Sequence, residues 1–319
     1  MQMNKIGLLC CFLGSRRPPQ YLQLFIDSCR YNSDVDFHFF TEWDSMGDKL
    51  PQNVKMHKFS YKDFNQLATV KCGLDINITH GYKLCDLKPA WPHIFEDYIE
   101  EYIYVGWFDI DLIFGRITHF FYKFINHNSD FYFTITHGYS SGALTIIKNI
   151  SKMRLLYQQA KGWQYIFQDK RHFAFDEYLR VIEPNIESYS DVVFRQTYLK
   201  DSIKAISYIA YEKRPHEVIF DSGTVWSEKK EWICFHYVVA KQAILWTLPN
   251  WTNIPTKYFI NKYGFYVNPK HPQNLLKVLC HFHTLRQVLY SSKKKMNTLK
   301  QLIVHFKWQR IINAIKKQL

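Results

Sequence analysis

Residues 102–115 decide the fold class of this chain, and they read Tyr-Ile-Tyr-Val-Gly-Trp-Phe-Asp-Ile-Asp-Leu-Ile-Phe-Gly. β-Branched and aromatic residues lead into Asp109 and Asp111, and apolar residues then follow up to a glycine. This length and composition predict a strand that is buried on both faces, as inside a parallel or mixed sheet. Burying an unpaired carboxylate costs on the order of several kcal/mol, so we expect the two acids to lie where the strand leaves the sheet.

The spacing of Asp109 and Asp111 indicates a metal site. In extended chain, residues i and i+2 point to the same side, so both carboxylates can face one hydrated divalent cation. Mg²⁺ and Mn²⁺ take oxygen ligands, commonly one or two carboxylates together with substrate phosphates. The alternative is a pair of solvated acids in a tight turn, and the apolar residues before the pair favour the metal site.

Two further motifs stand upstream of this stretch. Residues 82–89 read Tyr-Lys-Leu-Cys-Asp-Leu-Lys-Pro, and residues 93–98 read His-Ile-Phe-Glu-Asp-Tyr. Together with residues 106–115, they resemble a family of bacterial glycosyltransferase-like proteins from capsule, lipopolysaccharide and other surface-polysaccharide clusters. The resemblance is densest between residues 82 and 117. It implies a GT-A fold, a nucleotide-sugar donor such as a UDP-sugar, and Mn²⁺ or Mg²⁺ held by the Asp-x-Asp motif.

Charged side chains before the acid pair are candidates for binding the donor. A diphosphate requires fixed cations and a sugar hydroxyl requires an acceptor, so Lys83 and Lys88 can supply the first and Asp86 the second. Asp109 would face the same diphosphate through the metal. The alternative for this segment is a solvated loop with local ion pairs.

Residues 173–177, Phe-Ala-Phe-Asp-Glu, place two acids after aromatic side chains. An inverting sugar transfer needs a carboxylate to take the acceptor proton, and a retaining one needs a group that stabilises an oxocarbenium-like transition state. Asp176 and Glu177 are therefore the candidate catalytic residues, and the similar family also carries Phe-Asp-Glu here. The alternative is a helix-start acid paired with Arg171 or Arg180.

Late in the chain, the same resemblance implies a histidine that completes the metal shell and a lysine that touches the diphosphate. His236 and Lys241 are the candidates, with His216 as a less favoured substitute for the histidine. The alternative is that His236 is a hydrogen-bonded structural residue on a strand.

The order of the sequence patterns predicts an α/β protein with a mixed sheet flanked by helices over residues 1–241, and the family resemblance implies that this sheet is GT-A-like. A strand at 5–13, a helix to about residue 30 and a strand at 35–41 indicate a right-handed βαβ unit. A basic, mainly helical extension is expected over residues 242–319. Within it, residues 248–272 are rich in Pro, Asn and Tyr and predict a wrapping loop region.

Charge is concentrated in that extension. The net charge is +13, yet 14 of the 41 Lys and Arg residues lie after Glu231 with no acid among them. A final helix would gather apolar residues on one face, namely Val304, Trp308, Ile311, Ile312, Ile315 and Leu319. This is typical of a helix in the interface of an anionic membrane. The alternative is that this face packs on the main domain or on a second subunit.

Composition narrows the location and the function classes. The chain has seven cysteines without a metal-type spacing, which indicates reduced thiols in the cytoplasm. The sequence contains no run of about 18 apolar residues, so we predict no membrane span. We therefore expect a cytoplasmic protein that is peripheral at the inner face of the membrane. The family resemblance implies a hexosyltransferase-like enzyme acting on a glycan or lipid-linked acceptor. A nucleic-acid-binding protein acting through the basic tail is one alternative, although no such motif is present and no nucleic acid is expected. A metal-dependent phosphohydrolase using the same acids is the other.

Overall fold

The structure, a computed structural model, describes residues 6–19, 21–44, 50–122, 130–135, 140–181, 183–199, 203–207, 218–228, 230–237, 254–261 and 264–267. These residues all belong to the first of two compact units of the chain, Met1–Pro269. The expected domain boundary at residue 241 and the expected basic helices after it lie outside the described residues and stay predictions.

Three β-sheets organise the described residues. In chain order their strands are β1 (Ile6–Phe12), β2 (Val35–Thr41), β3 (Val54–Lys58), β4 (Tyr104–Phe108), β5 (Leu112–Phe114), β6 (Phe131–Thr134), β7 (Leu144–Lys148), β8 (Lys204–Ser207), β9 (Val218–Asp221), β10 (Thr224–Ser227), β11 (Lys230–Trp232), β12 (Cys234–His236), β13 (Lys257–Asn261) and β14 (Gly264–Tyr266). The main sheet has seven strands in the order β3-β2-β1-β4-β7-β6-β8. A second sheet has the order β11-β10-β9-β13-β14, and β5 pairs with β12 in a third.

The main sheet is mixed. β1 runs parallel to β2 and β4, and β3 runs parallel to β2, whereas β7 runs antiparallel to both β4 and β6. The strand order reverses between β1 and β4, because β2 and β3 follow on one side of β1 and β4 lies on the other. In open α/β sheets, ligands bind outside the carboxyl ends of the strands at such a reversal. The fold thus places a crevice beside the loops that follow β1 and β4.

Helices flank this sheet. They are α1 (Leu22–Cys29), α2 (Tyr61–Cys72), α3 (Gly81–Asp86), α4 (Trp91–Ile94), α5 (Ile117–Phe121), α6 (Ser151–Arg154), α7 (Trp163–Gln168) and α8 (Tyr189–Phe194). The α/β class with a mixed sheet between helices is therefore confirmed. Short 3₁₀ turns flank α4, at Lys88–Ala90 and Glu96–Tyr98, so residues 90–98 do not form one continuous α-helix. Pro92 lies in the first turn of α4, where its missing amide hydrogen costs no helix hydrogen bond.

The two faces of the main sheet carry separate apolar cores, which explains the uninterrupted apolar strands. Along β1, Leu8 and Cys10 pack on one core while Leu9 and Cys11 pack on the other. A third, smaller core lies under the second sheet and includes Leu24 of α1. Because both faces of β4 are covered, only its end can present charged groups.

The second sheet corrects one expectation. β13 pairs antiparallel with β9 and β14 pairs with β13, so part of the segment expected as a wrapping loop forms strands. Its pairing partner, β9, lies about forty residues earlier, so composition alone does not reveal the ladder. None of the helices in the described part of the chain combines the length and hydropathy that a membrane span requires. Six cysteines in this part are free thiols, in line with the expectation of reduced cysteines.

Candidate metal centre and adjoining acid pair

Asp109 and Asp111 lie where the chain passes from one sheet to another. β4 ends at Phe108, and the Asp109 amide still donates to the Ala143 carbonyl oxygen at 2.9 Å. After Asp111 the chain enters β5, which pairs with β12 and not with the main sheet. The expectation that the strand leaves the sheet at the two acids is therefore confirmed.

β12 brings His236 to this point. It runs antiparallel to β5 with His236 opposite Leu112, and the next residue, Tyr237, donates its amide to the Asp111 carbonyl oxygen at 3.0 Å. His236 Nε2 lies 3.1 Å from Asp111 Oδ1. One ligand atom each from Asp109, Asp111 and His236 lie within 4.8 Å of one another. The three residues predicted as metal ligands are thus adjacent.

Exposure and charge at this cluster suit a divalent cation. The Asp109 side chain is 32% exposed, whereas those of Asp111 and His236 are largely buried. Burial alone lowers the pKa of His236, but the hydrogen bond to Asp111 and its negative charge outweigh burial and raise that pKa. Two carboxylates and one imidazole open to solvent on the Asp109 side form a donor set that fits Mn²⁺ or Mg²⁺.

Lys88 connects this cluster to a second pair of acids. It is buried, and its Nζ lies 2.6 Å from Asp109 Oδ1, 2.8 Å from the Gly142 carbonyl oxygen and 3.4 Å from Asp176 Oδ2. Burial lowers the lysine pKa, but the charge of Asp109 and then other acidic groups raise it well above its ordinary value. Lys88 therefore stays protonated between Asp109 and Asp176, and its ammonium is directed at these acids.

Asp176 lies on the other side of Lys88. Burial chiefly raises its pKa to about 7, the positive charge of Lys88 opposes this, and the nearby Glu177 and Asp109 add to it. A Cβ at Gly142 would collide with Asp176 Oδ2, so the chain needs glycine where it crosses this carboxylate. Glu177 Oε1 accepts the Gly142 amide at 3.3 Å. The two predicted catalytic acids thus adjoin the predicted metal ligands.

Arg171, an alternative partner for these acids, pairs with other carboxylates. Arg171 Nη2 lies 2.8 Å from Asp169 Oδ2, and its Nη1 lies 2.8 Å from Glu183 Oε1. Asp176 lies in a turn and does not begin a helix. The interpretation of Asp176 as a helix-start acid is therefore wrong, and Arg171, one of its two suggested partners, pairs with Asp169 and Glu183 instead.

Lys83 and Asp86 form a buried ion pair. Lys83 Nζ lies 2.9 Å from Asp86 Oδ2 and also donates to the carbonyl oxygens of Ile166 and Arg171. Both side chains are about fully buried, at 1% and 0% exposure. The alternative of a solvated loop is therefore wrong. The expected contact of this pair with the donor is disfavoured, because their polar atoms already bind protein groups.

Asp86 also shapes the segment that carries Asp176. Its carboxylate accepts the amides of Phe173 and Phe175, the latter at 2.9 Å. Ala174 between them has φ of 58°, in the left-handed region that is unfavourable for a residue with a Cβ. Asp86 therefore holds this tight turn in place immediately before Asp176.

Tyr21 and Tyr82 were not predicted as site residues from the sequence. Burial, then the charges of Asp111 and Asp109, and then Tyr82 raise the pKa of Tyr21 to about 12, so the Tyr21 phenol stays neutral beside the acids. Tyr82 lies one residue before buried Lys83 but is itself 75% exposed. The only available signal was position: Tyr21 follows the loop after β1, and Tyr82 opens the motif at residues 82–89.

The loop after β1 also meets the end of β2. Gly14, with φ of 90°, donates its amide to Glu42 Oε2 at 2.6 Å, so these two loops are joined beside the crevice. Lys241 and His216 lie outside the described residues, and their expected roles stay predictions.

Comparison with known families gives one match. Residues 8–246 match a family described as Family of unknown function (DUF6625), which covers most of the chain. The chain belongs to DUF6625. The matched range contains the acid pair, Lys88, Asp176 and His236, so the whole candidate centre lies within the DUF6625 region. No curated protein matches the sequence.

Proposed function

We propose that this DUF6625 protein is a metal-dependent, GT-A-like glycosyltransferase. It would move a sugar from a nucleotide-sugar, in the first instance a UDP-sugar, to a glycan or lipid-linked acceptor of surface-polysaccharide synthesis. The observation that carries the proposal is the cluster of Asp109, Asp111 and His236 at the end of β4, beside the reversal of strand order. Such a crevice is where open α/β sheets bind nucleotide ligands.

Asp109, Asp111 and His236 would hold Mn²⁺ or Mg²⁺ against the donor diphosphate. When bound, the cation supplies Lewis-acid stabilisation of the negative charge that develops on the leaving nucleotide. Lys88 takes a different place from the one expected: it contacts Asp109 through one carboxylate oxygen and fixes the orientation of that ligand. Lys241 stays the candidate for a direct lysine contact to the diphosphate.

Asp176 and Glu177 would serve the acceptor side. A general base works best when its pKa lies near the working pH, and burial raises the pKa of Asp176 to about 7. Its carboxylate lies across Lys88 from Asp109, so the acceptor and the donor would meet over the same lysine. The same position also suits stabilisation of a positively charged sugar in a retaining transfer.

A donor screen tests this proposal. The full chain is incubated with Mn²⁺ and a panel of nucleotide sugars, and released nucleotide is measured with and without a glycan acceptor. We expect one donor to release nucleotide in a reaction that requires Mn²⁺ and is lost in Asp111→Asn. Release of inorganic phosphate from simple phosphate esters, with no nucleotide sugar consumed, would instead establish the phosphohydrolase alternative.

We also propose that the basic tail binds an anionic membrane surface, where a lipid-linked acceptor would be located. Each Lys or Arg near such a surface contributes about 1 kcal/mol, and the cluster at residues 293–295 adds three. Flotation of the full chain with phosphatidylglycerol vesicles should occur at low salt and cease at high salt. Replacing Lys293, Lys294 and Lys295 by Glu should weaken flotation, and phosphatidylcholine vesicles serve as the control. Salt-insensitive behaviour with no flotation would contradict a membrane role.

A further inference from the structure

An exposed tyrosine beside His172 has no part in the proposed chemistry. Tyr82 is 75% exposed, and its ring centroid lies 5.9 Å from that of His172. A ring nitrogen of His172 and carboxylate oxygens of Asp86 and Asp176 lie within 4.8 Å of one another. Tyr82 and His172 therefore form an aromatic surface, and its histidine adjoins Asp176, a candidate catalytic acid.

The Asp86, His172 and Asp176 grouping resembles a second metal site in its residue types, but its charges are already balanced. Lys83 neutralises Asp86 at 2.9 Å, and Lys88 lies 3.4 Å from Asp176. Asp86 accepts two backbone amides as well. A cation here would have to displace two buried ammonium groups, so the grouping does not supply a place for a second metal.

An exposed ring next to such a centre matches the chemistry of a pyranose. A sugar ring has an apolar face of C–H groups and a rim of hydroxyls, and ligand sites commonly combine aromatic side chains with a few convergent polar groups. Tyr82 offers the aromatic face, and Asp176 and Glu177 offer carboxylate acceptors for hydroxyls. Covering a large exposed aromatic side chain also recovers hydrophobic free energy.

We infer that Tyr82, backed by His172, is the stacking platform for a pyranose ring of the acceptor. The identification of this sugar as the acceptor rests on the proposed glycosyl transfer. The platform itself is a sugar-binding site that can be detected without turnover. Lys88 Nζ lies 2.6 Å from Asp109 Oδ1, a proposed metal ligand, and 3.4 Å from Asp176 Oδ2, whose carboxylate adjoins His172. The platform therefore adjoins Asp176, which Lys88 links to the metal ligands.

Saturation-transfer NMR on the full chain tests the platform. The probes are the methyl β-glycosides of glucose, galactose and N-acetylglucosamine, measured in wild type, Tyr82→Ala and Tyr82→Phe. Stacking predicts transfer concentrated on the axial protons of one ring face, lost in Tyr82→Ala and kept in Tyr82→Phe. Trp226→Ala is the matched control, because Trp226 is also exposed but lies on β10 of the second sheet. It should behave as wild type.

Three results would overturn the inference: no transfer to any glycoside in wild type, unchanged transfer in Tyr82→Ala, or displacement of the glycoside by UMP without metal. The last result would mean that Tyr82 stacks on a nucleobase. UDP with Mn²⁺ is titrated into the same samples to separate the two proposals. Glycoside binding that depends on Tyr82 without any UDP binding would support the platform and contradict the glycosyltransferase proposal. UDP binding without glycoside binding would do the reverse.

Discussion

Two clusters in this protein bring together the same kinds of side chain and differ in charge balance. Asp109, Asp111 and His236 form one, and Asp86, His172 and Asp176 form the other; each gathers two carboxylates and an imidazole within 4.8 Å. Judged by the distances between their ligand atoms alone, both clusters could hold a metal ion. In the second cluster, however, each carboxylate has a buried lysine against it, whereas Lys88 contacts the first cluster only at Asp109.

This difference leads us to expect a metal ion at the first cluster, where fewer lysine contacts balance the carboxylates. Asp86 is buried with an ammonium and two backbone amides, which satisfies a carboxylate inside protein. Asp109 keeps about a third of its side chain exposed, and Asp111 Oδ1 lies 3.1 Å from the His236 imidazole. We therefore propose a structural role for Asp86 and a metal-binding role for Asp109 and Asp111.

The largest effect should come from breaking the balanced cluster. Asp86→Asn leaves the Lys83 ammonium buried without its counter-charge and turns an amide group toward backbone donors. Removing one partner of a buried pair costs about 3–5 kcal/mol, so we expect a loss of that size in the free energy of unfolding, measured by urea denaturation.

Asp44→Asn is the control for this loss. Asp44 pairs with Lys58 at 3.0 Å, but both side chains are well exposed, so the change should leave the urea midpoint close to that of wild type. If Asp86→Asn unfolds at the same urea concentration as wild type, the pair is not structural and the donor-binding role expected from sequence returns.

Asp176→Asn should act on turnover and leave donor binding nearly unchanged. A positioned general base commonly contributes about 100-fold or more, so we expect kcat to fall by at least that factor while UDP affinity measured by calorimetry stays close to wild type. The base form exists above its pKa of about 7, so wild-type kcat/KM should fall as the pH drops below 7. Equal activity in Asp176→Asn, with the same pH profile, would move the acceptor chemistry to Glu177.

A smaller effect should appear in the pH dependence of metal binding. A metal requires the neutral imidazole, and the Asp111 carboxylate raises the pKa of His236 above its ordinary value. Protons should therefore compete at a higher pH than for an ordinary histidine, and Mn²⁺ affinity should fall by up to about tenfold per pH unit below that pKa. In His236→Gln, affinity should be weaker at pH 8 and nearly independent of pH down to pH 6. A pH dependence retained in His236→Gln would place the competing proton elsewhere.

The sequence predicted the parts of the centre that depend on local pattern. The apolar run before Asp109 indicates a strand buried on both faces, and two carboxylates cannot continue inside it, so the exit from the sheet follows from residues 102–115 alone. The resemblance to glycosyltransferase-like proteins then implied a late histidine ligand, for which His236 was the candidate. The antiparallel pairing of β5 with β12, which places this histidine at Asp111, joins residues more than a hundred positions apart.

The burial and the contacts of Lys83 and Lys88 could not be predicted in the same way. Lys83 and Lys88 occur in a polar motif that fits an exposed phosphate-binding loop equally well. What buries Lys83 is contact with carbonyl oxygens of Ile166 and Arg171, and what fixes Lys88 is the approach of Asp176 across Gly142. These contacts arise from tertiary packing, and no local period or composition carries them. The same holds for β13, whose ladder with β9 is invisible in a stretch rich in Pro and Asn.

Manganese binding measured by electron paramagnetic resonance tests the central distinction between the two clusters. The six-line signal of free Mn²⁺ is followed as protein is added, for wild type, Asp111→Asn and His172→Gln, with circular dichroism confirming that each is folded. We expect wild type and His172→Gln to bind one Mn²⁺ with similar affinity and Asp111→Asn to bind none. Binding that survives Asp111→Asn, or that is lost in His172→Gln, would contradict the assignment of the metal to Asp109, Asp111 and His236.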